Sequence, residues 1–289
     1  MPNVTVNDVD FSYLEWGPSD GPVAVLLHGF PDSAHTWRHL GPVLGEAGFH
    51  AVAPFMRGYA PTAVPADGRY QTAMLALDAI GIRDALGGDG RAVLLGHDWG
   101  ATATWIAAVH GGVDAWSKVV AMAVPPGGAI AQHFLRYEQL QKSWYMFFFQ
   151  HALSDIVVPM NDLAFIDGLW ADWSPGYAAA EDLEHLKQSL RDTANLTAAL
   201  GYYRATLSGV GVDPSLESVQ SAGGSAPPQP ALYLHGRGDG CIGVEVADGA
   251  GAFLTTPGSR AEIVDGAGHF LHLEQPAVVN QLILDFLTK

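Results

Sequence analysis

The sequence predicts an α/β fold built on a mostly parallel, doubly wound sheet. Short apolar runs that suit buried strands alternate with longer helical patterns, and short glycine-rich connections join them. This alternation is typical of proteins in which helices cover both faces of a parallel sheet. A chain of 289 residues that is 48% hydrophobic and 15% charged can bury the large core that such a fold needs.

The first half of the chain carries the clearest alternation. Its two N-terminal runs alternate apolar and polar residues, as half-buried antiparallel strands do. Later strand candidates are continuously apolar, as strands in the middle of a parallel sheet are. The predicted strands are Val4–Asn7, Val9–Trp16, Pro22–Leu27, Ala51–Phe55, Ala92–Leu95 and Lys118–Val124. The predicted helices are Ala34–Glu46, Thr72–Leu86 and Ala101–Val109.

The alternation is interrupted once, by a long helical segment. A Pro-Pro-Gly-Gly run at residues 125–128 opens this segment, and a linker at residues 223–228 closes it. We therefore predict a core of residues 1–126 and 223–289, with residues 127–222 forming a helical cap over the carboxyl edge of the sheet. The clearest elements in and after the segment are helices Glu181–Arg191, Asn195–Leu207 and Ala277–Leu287 and strands Ala231–His235 and Ala261–Val264.

Composition and charge exclude several classes of protein. The formal net charge is −16, and no Lys/Arg cluster occurs, which disfavours a nucleic-acid partner. The single cysteine, Cys241, forms no disulfide within the chain and fits a reducing compartment. Neither a signal-peptide pattern nor an apolar run of membrane-spanning length is visible. We therefore expect a cytoplasmic protein, monomeric or homodimeric, that does not act on a membrane.

The run Gly96–Gly100 is the most informative motif in the chain. It lies between a predicted strand and a predicted helix and reads Gly-His-Asp-Trp-Gly. A small residue on each side of a nucleophile at such a junction is the nucleophile elbow of the α/β-hydrolase fold. The flanking glycines suit a strained turn in which strand and helix crowd together. We therefore predict this fold, with Asp98 as the nucleophile where serine is usual.

An aspartate at the elbow favours attack on saturated carbon. Serine attack there would give an ether that water cannot readily cleave, whereas a carboxylate is already ionised at neutral pH. Its attack gives an alkyl ester that water can hydrolyse at the carboxyl carbon. Epoxides and carbon–halogen bonds are substrates of this kind. The alternative is a relative of the serine hydrolases whose nucleophile elbow is no longer catalytic.

Two further residues complete the predicted catalytic triad. His269 follows the last predicted strand in a Gly-Ala-Gly-His-Phe loop, where the histidine of this fold belongs. Asp239 follows the preceding strand, and a carboxylate there would orient the imidazole. His272 is a rival to His269, more in keeping with packing or capping. Asp239 also suits a simple turn aspartate, but the strand before the cap, which carries the acid in some relatives, ends here without a carboxylate.

Two backbone N–H groups are expected to form the oxyanion hole. In this fold one of these N–H groups belongs to the residue after the nucleophile, which is Trp99 here. The other follows the strand that leads into a His-Gly motif, which is Phe30 here. They would stabilise the charge that develops during ester hydrolysis. The sequence leaves open whether the Phe30–Pro31 bond is cis.

Together these motifs resemble the epoxide hydrolases of the α/β-hydrolase superfamily. The resemblance runs over nearly the whole chain and rests on the runs 28–31, 57–59, 96–101 and 268–270. It implies two cap tyrosines that grip the epoxide oxygen. The run Tyr145–Gln150 places the first on Tyr145, and Tyr202–Arg204 places the second on Tyr203, with Tyr202 as its rival. A phenol can donate a proton to the alkoxide that ring opening produces.

Dehalogenases are the nearest alternative. Haloalkane dehalogenases share the aspartate and the following tryptophan, but their His-Gly motif is followed by an asparagine that donates to the halide. This chain has Phe30 at that position, and its side chain has no donor. Fluoroacetate dehalogenases bind their substrate's carboxylate with arginines at the positions of Trp99 and Thr102. A ligand-binding protein without catalysis is a further alternative, although every position of the triad pattern is filled.

The sequence thus predicts an epoxide hydrolase that forms a vicinal diol from a small, apolar epoxide. Trp99, Phe30 and Phe148 are the expected substrate contacts, and the aromatic residues of the cap indicate an apolar substrate. No metal or organic cofactor is expected, since no His/Cys cluster has the spacing of metal ligands along the chain.

Overall fold

The computed structural model describes residues 1–289 and places eight strands in one sheet. The strands are β1 (Asn3–Val6), β2 (Val9–Trp16), β3 (Val23–Leu27), β4 (His50–Pro54), β5 (Val93–His97), β6 (Lys118–Met122), β7 (Ala231–Gly236) and β8 (Arg260–Val264). Their order across the sheet is β1-β2-β4-β3-β5-β6-β7-β8. The β1–β2 and β2–β4 pairs are antiparallel, and every other pair is parallel. The predicted fold class is confirmed.

Fourteen α-helices accompany the sheet. Those outside the cap segment (residues 127–222) are α1 (Leu40–Glu46), α2 (Thr72–Ala85), α3 (Trp99–Ala115), α12 (Val244–Ala247), α13 (Leu271–Glu274) and α14 (Pro276–Thr288). Those within it are α4 (Gly127–His133), α5 (Tyr137–Lys142), α6 (Trp144–Phe148), α7 (Ser154–Val157), α8 (Met160–Trp173), α9 (Ala180–Leu190), α10 (Thr193–Ser208) and α11 (Glu217–Gln220). Short 3₁₀ helices occur at Ala34–Arg38, Pro214–Leu216, Ser221–Gly224 and Ala250–Phe253. No helix is both long and apolar enough to cross a membrane.

The strands at the centre of the sheet are buried on both faces. Every residue of β3, β4 and β5 is buried. Helices on both sides exclude water from such strands, which explains why the sequence is apolar at successive positions there instead of alternating. The apolar runs therefore predicted these strands to within a residue or two.

The order of the strands creates a crevice between β3 and β5. The chain moves from β3 to β4 on one side, then returns to β5 on the other side of β3 and continues away from it. Connections diverge at such a point and leave an opening outside the carboxyl ends of the strands. Leu27 of β3 pairs with Gly96 of β5, so the loops that follow the two strands lie side by side. These loops carry Phe30 and Asp98.

The cap segment contains only helices and lies over this edge of the sheet. Three of its side chains donate hydrogen bonds to carbonyl groups of loops that follow β3 and β4. Trp170 donates to Pro31 (2.8 Å), Asn195 to Gly58 (2.7 Å) and Tyr202 to Arg57 (2.7 Å). The cap is thus fixed to the loops that surround the crevice.

Two predicted helices differ from those in the structure. The helix predicted at Ala34–Glu46 is divided into a 3₁₀ turn and α1, because Pro42 has no N–H to donate and its ring opposes a continuous helix. The helix after the elbow begins at Trp99 and reaches Ala115, beyond the predicted Ala101–Val109, with a break at Gly112, where φ is +64°. The glycines near its end predicted an earlier stop.

A buried ion pair holds the loop that follows β4. The guanidinium of Arg57 donates two hydrogen bonds to the carboxylate of Asp78 in α2, at 2.7 and 2.8 Å. The side chain of Arg57 is fully buried, and that of Asp78 is 6% exposed. Because the carbonyl of Arg57 also accepts the hydrogen bond from Tyr202, this pair supports the contact between the loop and the cap.

Replacing Asp78 should therefore destabilise the whole protein. We expect Asp78→Ala to lower the free energy of unfolding by about 3–5 kcal/mol, because the buried charge of Arg57 then keeps only its longer contact with Asp67, at 3.5 Å. Urea denaturation measures this loss. The matched control is Asp89→Ala, which removes an exposed partner of Arg91 and should leave the unfolding curve unchanged. Equal curves for both variants would contradict this account of the pair.

Candidate active site

The backbone at Asp98 makes a sharp turn between β5 and α3. Its φ and ψ are 54° and −117°, which is unusual for a residue with a side chain. A Cβ on Gly100 would lie 2.1 Å from the carbonyl oxygen of Leu27, and one on Gly96 would lie 2.1 Å from the carbonyl oxygen of Gly100. Only glycine fits at these two positions. The turn presents the Asp98 side chain at the crevice beside β3.

One oxygen of the Asp98 carboxylate is held by the backbone. The N–H of Phe30 donates a hydrogen bond of 2.8 Å to Oδ1. A Cβ on Gly29 would lie 2.3 Å from the same oxygen, so glycine is needed for this approach. Trp99 is the first residue of α3, and its N–H therefore has no acceptor within the helix. The Phe30–Pro31 bond in this loop is cis.

His269 lies between two carboxylates in the structure. Its Nδ1 is 3.0 Å from Oδ2 of Asp239, and its Nε2 is 3.6 Å from Oδ2 of Asp98. Asp239 is fixed in turn, because its Oδ1 accepts the N–H groups of Cys241 (2.7 Å) and Ile242 (2.9 Å). A carboxylate only accepts, so Nδ1 carries the proton and Nε2 faces Asp98. The structure thus brings the three predicted triad residues together.

The charges of this group reinforce one another. Burial alone would lower the pKa of His269, but the charge of Asp239 and its hydrogen bond, together with Asp98, raise that pKa to about 10. Burial would likewise raise the pKa of Asp239, yet the neighbouring imidazole outweighs burial and lowers it. Before any substrate binds, His269 is therefore an imidazolium between two carboxylates.

Tyr145 of α6 and Tyr203 of α10 both line the cavity above Asp98. The hydroxyl of Tyr145 lies 3.2 Å from Sγ of Cys241, and that of Tyr203 has no hydrogen-bond partner although it is buried. Burial raises both tyrosine pKa values well above the usual range, and the charge of Asp98 raises them further. Both phenols are therefore protonated donors.

Neither predicted rival occupies this group. The hydroxyl of Tyr202 is engaged with the carbonyl of Arg57, and Tyr202 does not line the cavity. His272 is buried beside His97 of β5, with their ring centroids 4.6 Å apart, and its Nε2 lies 2.5 Å from the hydroxyl of Thr36. Burial lowers the pKa of His272 well below its usual value, and the neighbouring His97, His269, Arg38 and His39 lower it further. A neutral histidine in this position packs behind the elbow, away from the cavity.

The cavity has a volume of about 480 Å³ and carries no lysine or arginine in its lining. Asp98 lies in it together with Tyr145, Tyr203 and Cys241, and most of the other walls are apolar. Representative apolar lining residues are Trp99, Trp105, Ile106, Ile130, Phe134 and Met146. A volume of this size suits a small organic molecule.

Two of the three predicted substrate contacts need correction. Phe148 does not line the cavity, because α6 turns its ring towards Phe165, at 5.6 Å between ring centroids. The ring of Phe30 is fully buried and packs edge-on against Phe149 and Tyr203, so only its backbone N–H reaches the site. Trp99 does line the cavity. Met146 of the same helix lines the cavity, whereas Phe148 does not.

Sequence reasoning missed the position of Cys241. Its Sγ lies within 4.8 Å of ligand atoms of Asp98 and His269. The sequence signal that could have placed it near the triad is its position two residues after Asp239. An aspartate often accepts the N–H of the second residue after it, and the resulting turn keeps that residue close to the carboxylate. A second group, Asp32, His97 and His272, is equally close behind the elbow. Neither group could be found from spacing along the chain, because the fold assembles both from distant segments.

The chain is similar to known proteins over nearly its whole length. Residues 22–276 match the family model described as the alpha/beta hydrolase fold. The chain is 30% identical to Epoxide hydrolase A of Mycobacterium tuberculosis, over 99% of this chain and 96% of that protein. It is 29% identical to an epoxide hydrolase of Caballeronia sordidicola, over 99% and 92% of the two chains.

A solved structure is similar over the same extent. The crystal structure of Epoxide Hydrolase A from Mycobacterium thermoresistibile superposes with a TM-score of 0.83, at 28% identity, and covers 99% of this chain and 97% of that one. The chain therefore belongs to the α/β-hydrolase fold family, among relatives that are named epoxide hydrolases.

Proposed function

We propose that this protein hydrolyses epoxides to vicinal diols through a covalent ester on Asp98. The observation that supports this most strongly is the pair of protonated phenols, Tyr145 and Tyr203, in the cavity that contains the Asp98 carboxylate. An epoxide needs a nucleophile at carbon and a proton donor at oxygen in one apolar pocket. Asp98 supplies the first, and the two phenols supply the second.

In the first step the carboxylate of Asp98 attacks one ring carbon. A bond forms between a free carboxylate oxygen and that carbon, the carbon–oxygen bond of the ring breaks, and a phenol passes its proton to the new alkoxide. Oδ2 is the attacking oxygen, because Oδ1 is held by the N–H of Phe30. The product of this step is a hydroxyalkyl ester of Asp98.

Ester formation changes the charge next to His269. Asp98 becomes neutral, so one of the two carboxylates that raise the imidazole pKa is lost and that pKa falls. The proton that His269 releases replaces the one given up by the phenol, through solvent in the cavity. His269 is then neutral and free to act as a base, while Asp239 holds its Nδ1.

In the second step water attacks the carboxyl carbon of Asp98. His269 takes a proton from this water at Nε2, and the backbone N–H groups of Phe30 and Trp99 stabilise the oxyanion. Collapse of the tetrahedral intermediate breaks the bond between the carboxyl carbon and the ester oxygen, and the second proton of the attacking water passes to that departing oxygen. The diol is released, the carboxylate of Asp98 is restored, and His269 is again an imidazolium. The lining of the cavity favours an apolar substituent on the epoxide, because no cation is present to bind a substrate carboxylate.

Dehalogenation is the second candidate. The indole N–H of Trp99 is buried without a hydrogen-bond partner and lines the cavity, so it could donate to a departing halide. Phe30 provides no side-chain donor beside it, which favours the epoxide. Incubation with an aryl epoxide and with a panel of haloalkanes separates the two, since release of halide without formation of diol would contradict the proposal.

The two phenols give the first prediction for this function. Tyr145→Phe and Tyr203→Phe should each lower kcat for an aryl epoxide by about 10- to 100-fold, because the alkoxide that ring opening produces then has one proton donor fewer. The double variant, which has neither donor, should lower kcat by about 1,000-fold or more. Diol formation measures this. Tyr202→Phe is the matched control and should keep most of the activity, because Tyr202 bonds only to Arg57. A double variant as active as this control would contradict the assignment.

The second prediction is that the ester can be trapped. In His269→Gln the second step lacks its base, so the ester should accumulate and raise the mass of the intact protein by that of one substrate molecule. Peptide mapping should locate the added mass on Asp98. The same variant carrying Asp98→Asn as well should stay unmodified. An adduct on another residue would show that Asp98 is not the nucleophile.

A further inference from the structure

Three potential ligand atoms converge at the base of the cavity. One carboxylate oxygen of Asp98, one ring nitrogen of His269 and Sγ of Cys241 all lie within 4.8 Å of one another. Nε2 of His269 is 3.6 Å from Oδ2 of Asp98. His269 is fully buried, yet its Nε2 has no hydrogen-bond partner and points at this space. The mechanism uses Asp98 and His269 but leaves the thiol without a role.

We propose that Asp98, His269 and Cys241 form an inhibitory binding site for a thiophilic divalent cation, with Zn²⁺ as the best match. Carboxylate oxygen, imidazole nitrogen and thiolate sulfur are all ligands that Zn²⁺ takes in proteins. A bound ion would occupy the nucleophile and the base at once and would stop turnover. This consequence rests on the proposed function, whereas the binding itself does not.

The distances suit a tetrahedral ion. Zinc lies about 2.0–2.2 Å from nitrogen and oxygen ligands and about 2.3 Å from sulfur, so its ligand atoms are about 3.4–3.6 Å from one another. The separation of 3.6 Å between Nε2 and Oδ2 already meets this requirement. Sγ of Cys241 lies within 4.8 Å of the other two ligand atoms, so it would have to approach them and leave the hydroxyl of Tyr145. Asp98 and Cys241 both line the cavity, so water from the cavity would supply the fourth ligand.

Two of the ligands are already oriented by groups behind them. Asp239 holds Nδ1 of His269 and leaves Nε2 free, which is the carboxylate–histidine arrangement that accompanies zinc ligands in proteins. The N–H of Phe30 holds Oδ1 of Asp98 and leaves Oδ2 free. Little rearrangement is therefore needed before the ion binds.

The charges of the site also favour a dication. Two carboxylates, those of Asp98 and Asp239, flank one imidazole, and the cavity lining contains no lysine or arginine. On ligation the metal–sulfur bond replaces the sulfur–hydrogen bond, and the proton passes to solvent. The imidazolium likewise releases its Nε2 proton. Mg²⁺ and Ca²⁺ prefer several oxygen ligands. Only one of the three proposed ligands, Asp98, is a carboxylate, so these ions should bind poorly.

Inhibition by Zn²⁺ is the first test. With diol formation as the readout, micromolar Zn²⁺ should inhibit the wild-type protein, whereas millimolar Mg²⁺ should not. Cys241→Ser and Cys241→Ala should each raise the half-inhibitory Zn²⁺ concentration at least about tenfold, each variant being compared with its own zinc-free rate. His151→Ala removes an exposed histidine outside the cavity and should respond to Zn²⁺ as the wild type does.

Co²⁺ binding is the second test and needs no turnover. A thiolate bound to Co²⁺ gives a charge-transfer absorption, which should appear with the wild-type protein and be absent in both Cys241 variants. This titration keeps its meaning even where the protein fails to hydrolyse epoxides, so failure of the proposed function is distinguishable. Absence of the band in the wild type would overturn the proposal. Equal Zn²⁺ sensitivity of the wild type and the Cys241 variants would overturn it as well.

Discussion

The strained turn at Asp98 is the constraint on which the rest of the site depends. A residue with a side chain is held at positive φ, which costs of order 1–3 kcal/mol and persists because its surroundings leave no alternative. Gly96 and Gly100 permit the close contacts that fix the turn. As a result the carboxylate of Asp98 lies at the crevice between β3 and β5, where the strand order reverses. The N–H of Phe30 is then on one side of it and Nε2 of His269 on the other.

The second governing feature is the excess of negative charge around His269, which decreases when Asp98 is esterified in the proposed cycle. Two carboxylates keep His269 protonated while the site is empty, and formation of the ester removes one of them. His269 therefore becomes a base at the moment when a base is required. The same surplus of negative charge, with a thiol beside it, is what makes the site attractive to a soft dication. One electrostatic arrangement thus accounts for both the reaction and its proposed inhibition.

Local signals in the sequence were sufficient for most of the fold and for much of the site. Apolar runs predicted the buried strands, and the glycines around Asp98 predicted the elbow, because both depend on neighbours in the chain. The loop after the last strand predicted where His269 would lie. The roles of Tyr145 and Tyr203 came from resemblance alone, since nothing local separates a cavity tyrosine from Tyr202. Their catalytic roles, like that of Asp98, remain predictions.

The errors occurred where a side chain's surroundings come from distant segments. The aromatic run of α6 could not indicate which residue faces the cavity, because Phe165 of another helix decides that Phe148 turns away and Met146 turns inward. Cys241 meets Asp98 only through the pairing of β5, β6 and β7. The division of the helix predicted at Ala34–Glu46 is different, because the missing N–H and the ring of Pro42 are local features of the sequence.

The most direct test of the central claim is a single turnover in H₂¹⁸O with the protein in excess over an aryl epoxide. If water attacks the carboxyl carbon of Asp98, ¹⁸O should appear in the peptide that contains Asp98, and the diol from this turnover should stay unlabelled. Label in the diol with none in Asp98 would mean that water attacks the epoxide directly, and would contradict the account.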